Sequence, residues 1–246
     1  MKVVCGRDDI AGTNICSILK ENFSVPFSTL DDHPVFHDFP ERDIGAEKDE
    51  LIVIASQHKS LKNVKSLTVH AAGNFGTNEL GGLKWKMSPY DAKFARSVLL
   101  NLEKYGNGLG YEITYEATHH GPYSSNPLVF VEIGSTEREY GDRDAAYVVA
   151  RAIYEAFDEE AEIYCGIGGV HYSSKFTRLA LTQGLALGHI ASKYRFQEIS
   201  EDVLREMMEK SKGSRGFVIE EKSFDSSQRK SLVSMIETLG YEYKLI

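Results

Sequence analysis

The chain has 246 residues, of which 42% are hydrophobic and 26% charged, with a formal net charge of −8. That length can bury the core of one large domain, and the composition is that of a globular protein. The acidic balance argues against a protein whose main task is to coat nucleic acid, because phosphate binding draws on clustered Lys and Arg, and no apolar run approaches the roughly 18 residues of a membrane span.

The start, Met1-Lys2-Val3-Val4-Cys5, runs directly into a strand pattern without the features of a signal peptide, which predicts a cytoplasmic protein. Cys5, Cys16 and Cys165 are scattered among apolar neighbours and read as buried thiols, not as a disulfide framework or a thiolate zinc site. Ile10, Ile15, Ile18 and Leu19 then fall at helical spacing behind Asp8-Asp9, so a strand, a turn and a capped helix form a first βα unit. Residues 24–49 carry three of the six prolines without clear periodicity and predict an irregular excursion or small lobe.

Leu51 to Ala55 reads as a strand buried on both faces, ending at Ser56-Gln57-His58, and Leu67 to Ala72 as a second strand. The loop from Gly73 to Met87 is long for a plain connection and is the second place where a small lobe is expected. Ser88 as cap and Pro89 at the first helical position predict a helix whose buried stripe is Ala95, Val98, Leu99 and Leu102. Tyr111 to Thr118 alternates as a half-buried strand, and Leu128 to Ile133 is the next, so Thr118-His119-His120-Gly121-Pro122-Tyr123-Ser124 lies in the connection between two strands. Asp142 caps a helix with Ala145, Val148, Val149, Ala152, Ile153 and Ala156 on one face. Further strand and helix units follow from Ala161 to Ile246, and the alternation predicts an α/β layer fold in one compact domain spanning 1–246.

The stretch Tyr164 to Thr177 concentrates chemistry. A strand-like run enters three glycines and then delivers His171, Ser173, Ser174, Lys175 and Thr177 where a helix can begin, which is how α/β proteins present function at a strand end. His119, His120, His171 and His189 all sit at such ends, where an imidazole can serve as metal ligand, base or electrophile. No HExxH or CxxC spacing is present. Glu132 and Glu137 flank a turn and can supply a carboxylate, while Asp8 and Asp9 are divided between capping and the site. Lys175 can hold a phosphate or carboxylate, and Gly166-Ile167-Gly168-Gly169 is neither a Walker A motif nor GxGxxG. The basic spots are Trp85 with Lys84 and Lys86, and the run from His58 to Lys65, each of which can grip a single-stranded nucleic-acid end or be plain surface.

With Thr118-His-His-Gly-Pro-Tyr-Ser, Val131-Glu-Ile-Gly-Ser-Thr-Glu, Gly168-Gly-Val-His-Tyr-Ser-Ser-Lys-Phe-Thr and Gly188-His189 in view, nearly the whole chain resembles the archaeal and plant type of D-aminoacyl-tRNA deacylase. The resemblance implies hydrolysis of the ester between a D-amino acid and the terminal ribose of tRNA, zinc (Zn2+) as cofactor, and a cytoplasmic monomer with no protein partner. It also implies a three-layer αβα fold with a mixed, largely parallel sheet, similar to the phosphorylase and peptidyl-tRNA hydrolase group. The family pattern carries onto His119, His120, His171, Lys175 and His189. The expected metal ligands are drawn from His119, His120, His171, His189 and Glu132, and the expected catalytic groups are His120, His171 and Lys175. Gly168, Gly169, Ser173 and Thr177 are the expected substrate contacts. Two rival readings share these residues: a metal-dependent peptidase or small-ester hydrolase that does not act on tRNA, and a nucleoside- or phosphate-binding protein without hydrolytic activity.

Overall fold

Residues 1–60, 63–157 and 160–246 are described by the computed structural model. The first part of the chain runs β1 (Lys2–Gly6), α1 (Ile10–Phe23), β2 (Phe27–Leu30), α2 (Pro40–Asp43), β3 (Ile52–Lys59), β4 (Ser66–His70), α3 (Ala92–Gly106), β5 (Glu112–Tyr115), β6 (Leu128–Ser135), α4 (Glu137–Tyr140) and α5 (Arg143–Tyr154). The second part runs β7 (Glu162–Ile167), α6 (Ser174–Gln183), β8 (Leu185–Ala191), α7 (Glu201–Lys210), β9 (Ser214–Ile219), α8 (Ser226–Thr238) and β10 (Glu242–Leu245).

These elements form a three-layer αβα protein with largely parallel strands, as expected, but the strands divide into two sheets. One has six strands in the order β2-β1-β3-β6-β4-β5, the other four in the order β10-β9-β7-β8. The six-stranded sheet is mixed because β6 pairs antiparallel with β4 while every other pair in it is parallel. Successive side chains of its strands point to opposite faces. Val3, Val53, Val69, Val129 and Val131 therefore meet α1, α3 and α5 on one face, and the same apolar cluster takes in Leu187, Ile190 and Val218 of the second sheet. Val4, Ile52, Ile54, Leu128 and Phe130 face the other way and are covered by Leu30 and Val35. The second sheet buries its remaining face, with Cys165, Ile167, Phe217 and Ile219, against α7 and α8.

The 24–49 excursion is thus less irregular than its prolines suggest: it contributes the edge strand β2 and closes one face of the sheet. Capping of α1 falls to Asp9, whose Oδ1 accepts from Gly12 N at 2.7 Å, while Asp8 is exposed. The helix expected from Ser88 begins later. Asp91 is its cap, accepting from Phe94 N at 3.0 Å, because the Ser88 hydroxyl is already committed to Pro122 O at 3.0 Å. Its stripe of Ala95, Val98, Leu99 and Leu102 is fully buried, each large apolar residue contributing about 1.5–3 kcal/mol by leaving water. No helix among the described residues is long and apolar enough to cross a membrane.

Candidate active site

The two sheets are joined where β5 ends. Ser173 N donates to Tyr115 O at 2.9 Å, Ala117 N to His171 O at 2.8 Å, and Thr118 N to Ile190 O at 2.8 Å. Thr177 reinforces the seam, its Oγ1 accepting from Tyr115 N at 2.9 Å and donating to Ser173 O at 3.0 Å. Backbone pairing therefore draws the paired histidines of one sheet against the glycine turn of the other: the His119 and His171 rings lie 4.5 Å apart between centroids, and His119 and His120 4.1 Å apart.

Strands of the first sheet complete the cluster. His58 near the end of β3, His70 at the end of β4, Glu132 within β6 and Glu116 just beyond β5 converge beneath the three loop histidines. Both carboxylates are buried. Glu116 lies 3.3 Å from His58 Nδ1, 3.6 Å from His119 Nε2 and 2.8 Å from His171 Nε2. Glu132 lies 3.5 Å from His58 Nδ1 and 3.3 Å from His70 Nε2. His171, with 44% of its side chain exposed, is the open side of the cluster.

Tautomers are fixed by the backbone. The Nδ1 atoms of His119 and His120 face the carbonyls of Ala117 and Gly121 at 2.9 and 2.6 Å, so each carries its proton on Nδ1 when neutral and leaves the Nε2 lone pair for the interior, whereas His70 has an acceptor on both sides, Ala71 O at 3.1 Å from Nδ1 and Glu132 at 3.3 Å from Nε2. His120 holds this pose with φ at +45°, a left-handed conformation uncommon for a non-glycine residue. Gly121 beside it permits a close approach of chains, since a Cβ there would stand 2.3 Å from the Gly82 nitrogen.

Charge within the cluster is divided. Burial pulls the His58 imidazole down, but the bond to Glu132 and the charges of Glu116 and Glu132 outweigh it and raise it to about 9. His70 is raised against burial by the charge and bond of Glu132. Burial, then the charges of neighbouring histidines, pushes His119 well below its ordinary range, and burial with the His70 charge takes His120 down to about 4. The carboxyls of Glu132 and Glu116 are held below the usual carboxylate range: burial opposes this, and the adjoining histidines overcome it. Two anionic carboxylates thus sit among cationic and neutral imidazoles.

The donor set fits a metal ion. His58, Glu116, His119 and His171 bring ligand atoms within 4.8 Å of one another, and so do His70, His119 and His120, and His70, Glu116 and Glu132. His58 Nε2 is buried without a hydrogen bond, and the buried Glu116 oxygens are faced only by imidazoles, His171 Nε2 at 2.8 Å, His58 Nδ1 at 3.3 Å and His119 Nε2 at 3.6 Å, an arrangement that a cation among them would also satisfy.

Of the residues predicted from sequence, His119, His120, His171 and Glu132 are brought together. His189 is not: its Nε2 meets Ser88 O at 3.0 Å and its Nδ1 the Thr118 hydroxyl at 3.1 Å, which commits both nitrogens in a fully buried position. Gly168 and Gly169 shape the turn, but their amides donate to Ala191 O at 2.8 Å and Ser223 Oγ at 2.7 Å and are not free for an oxyanion. Ser173 and Thr177 are buried fasteners of the seam. Lys175 pairs with Glu220 Oε1 at 3.0 Å in a neighbouring cavity, away from the carboxylates and imidazoles. Glu137 is surface. Of the basic spots, Trp85 and Lys84 are exposed and Lys86 pairs with Glu206 at 3.4 Å, while Leu61 and Lys62 lie outside the described residues. His58, His70 and Glu116 were missed, although their places at or just past strand ends are a readable signal.

Fold and site together define an α/β protein with a buried carboxylate and imidazole centre at the seam of two sheets. Residues 46–244 match the family model described as D-aminoacyl-tRNA deacylase. The chain is 36% identical to the D-aminoacyl-tRNA deacylase of Ignicoccus hospitalis, over 99% of this chain and 98% of that protein. It is 32% identical to the one of Archaeoglobus fulgidus, over 98% and 94%. Among solved structures it is similar to the crystal structure of a conserved protein of unknown function, AF0625, at 30% identity and a TM-score of 0.91, covering 99% of this chain and 94% of that one. The chain belongs to the D-aminoacyl-tRNA deacylase family.

Proposed function

We propose that this chain hydrolyses the ester between a D-amino acid and the terminal ribose of tRNA, acting as a zinc-dependent monomer in the cytoplasm. The observation that carries the reading is the buried Glu116 carboxylate faced by His58, His119 and His171, in a family whose members bear the deacylase name.

His58, Glu116 and His119 would hold the zinc, with His70, His119 and His120, or His70, Glu116 and Glu132, as overlapping sets. When bound, zinc supplies Lewis acidity and lowers the pKa of a water to about 7. The protein's own groups do the rest. His171 stands at the open rim, where an ester arrives first, and Glu116 faces its Nε2, leaving Nδ1 to take a proton from the attacking water and return it to the leaving ribose oxygen. Glu132 fixes His58 and His70 and balances their charge. His119 and His120 stay neutral near pH 7, so their Nε2 lone pairs remain available. Phe130 stacks on His70 at 4.8 Å between centroids and packs edge-on against His120 at 5.1 Å, which keeps water from the floor of the site.

The test is release of D-tyrosine from D-tyrosyl-tRNA by the purified protein before chelation, after chelation and after return of zinc. The reading expects release, loss and recovery. Release that persists through chelation overturns the zinc assignment.

A further inference from the structure

A cavity of about 150 Å³ opens beside the His171 turn and takes no part in the chemistry above. Its walls include Gly169, Tyr172, Lys175, Lys193, Lys222 and Ser223. Val170 and Tyr172, the residues on either side of His171, both line it, so it adjoins the open rim of the centre in sequence and in space. Three lysines converge there in a chain whose net charge is −8. One glutamate opposes them: Glu220 pairs with Lys175 at 3.0 Å and accepts from Ser223 Oγ at 3.0 Å. Lys193 and Lys222 have no carboxylate partner among the described residues. Both are exposed, and the Lys193 ammonium faces the Tyr194 ring, 5.5 Å from its Nζ, while its backbone N–H donates to Gly169 O at 2.9 Å.

We infer that this cavity is an anion subsite that holds the phosphate of the substrate's terminal nucleotide, with Lys193 and Lys222 as the free cations and Lys175 kept in place by Glu220. The identity of the phosphate rests on the tRNA reading of the site. An ester held at His171 belongs to a ribose whose own phosphate lies a few bonds away, and these lysines line the cavity that both sequence neighbours of His171 wall. The geometry also accounts for how an acidic protein grips RNA: positive charge is gathered in one place next to the reacting bond, where a phosphate contact positions the substrate. The first turn of α6 forms one wall and adds positive potential there.

The test measures binding of adenosine 5′-monophosphate and of adenosine to the zinc-loaded protein by calorimetry, for the wild type, K193A/K222A and K193R/K222R. Both lysines are exposed, so these changes leave the core alone. The expected result is a preference of about tenfold for the phosphorylated nucleoside in the wild type, most of it lost in the double alanine variant and kept in the double arginine one. Removing the two lysines should also weaken the dependence of monophosphate affinity on salt, because the screened attraction between the phosphate and two ammonium groups is lost. Equal binding of the two nucleosides by the wild type, or a preference unchanged in K193A/K222A, overturns the subsite. Deacylation of D-tyrosyl-tRNA by the same wild-type preparation separates the two readings: activity without phosphate preference removes the subsite alone, and phosphate preference without activity removes hydrolysis alone.

Discussion

Glu132→Gln is the most revealing single change, because it removes a charge and almost nothing else. Glu132 is buried 3.5 Å from His58 Nδ1 and 3.3 Å from His70 Nε2. At an effective dielectric near 20, each such pair attracts by about 5 kcal/mol. Loss of one partner of a buried pair costs about 3–5 kcal/mol once solvation is included, and an amide of the same shape retains some hydrogen bonding, so about 3 kcal/mol is expected in chelated protein. For a domain of this size that lowers Tm by roughly 6–12 °C. The effect must depend on pH. His58 is raised from 6.5 to about 9, so its share of stability is complete below 6.5 and disappears as pH rises through 9. Glu132 is depressed below its ordinary 4.5, so its share is present above 4.5 and disappears as pH falls below that. Thermal melts of wild type and variant in chelator should therefore differ most between about pH 5 and 7 and approach each other at pH 10. A gap under about 1 kcal/mol at pH 6, or one constant across this range, would refute the charged pairing.

Three further outcomes are expected. His171→Ala and His120→Ala should each lower kcat/KM on D-tyrosyl-tRNA by about 100-fold or more while the circular dichroism spectrum stays that of the wild type; near-normal turnover by both sinks their assignment. His189→Ala, which opens a buried cavity and frees Thr118 and Ser88, should cost about 2–4 kcal/mol in urea unfolding without changing the zinc content; loss of a zinc would place His189 back among the ligands. Gly121→Ala drives a methyl to 2.3 Å from the Gly82 nitrogen and should lower stability by about 1–3 kcal/mol, with a larger loss of activity because His120 moves with it; an unaltered melting curve contradicts the close approach.

Periodicity and caps made the helices legible, since an amphipathic stripe and an N-cap are local features: Asp142 caps α5 as read from the sequence. Strand ends were harder. The apolar run of β3 stops at Ala55, yet pairing with β6 carries the strand to Lys59, which puts His58 inside the sheet and not on a basic surface loop. Glu116 shares its side of an alternating strand with Glu112 and Thr114 and reads as solvent-facing, but the turn after β7 covers that side and buries it. Division into two sheets was also hidden, because each βα unit looks alike in sequence whichever sheet its strand joins. His189 misled for the opposite reason: a Gly-His pair at a strand end looks like a site, and only the positions of Thr118 and Ser88 show its nitrogens to be satisfied.

The central claim is best tested by charging one tRNA preparation with D-tyrosine and another with L-tyrosine and following release by the protein supplied with zinc. The account predicts rapid loss of the D-amino acid and retention of the L-form. Failure to release D-tyrosine under conditions in which the protein is folded and supplied with zinc would contradict it.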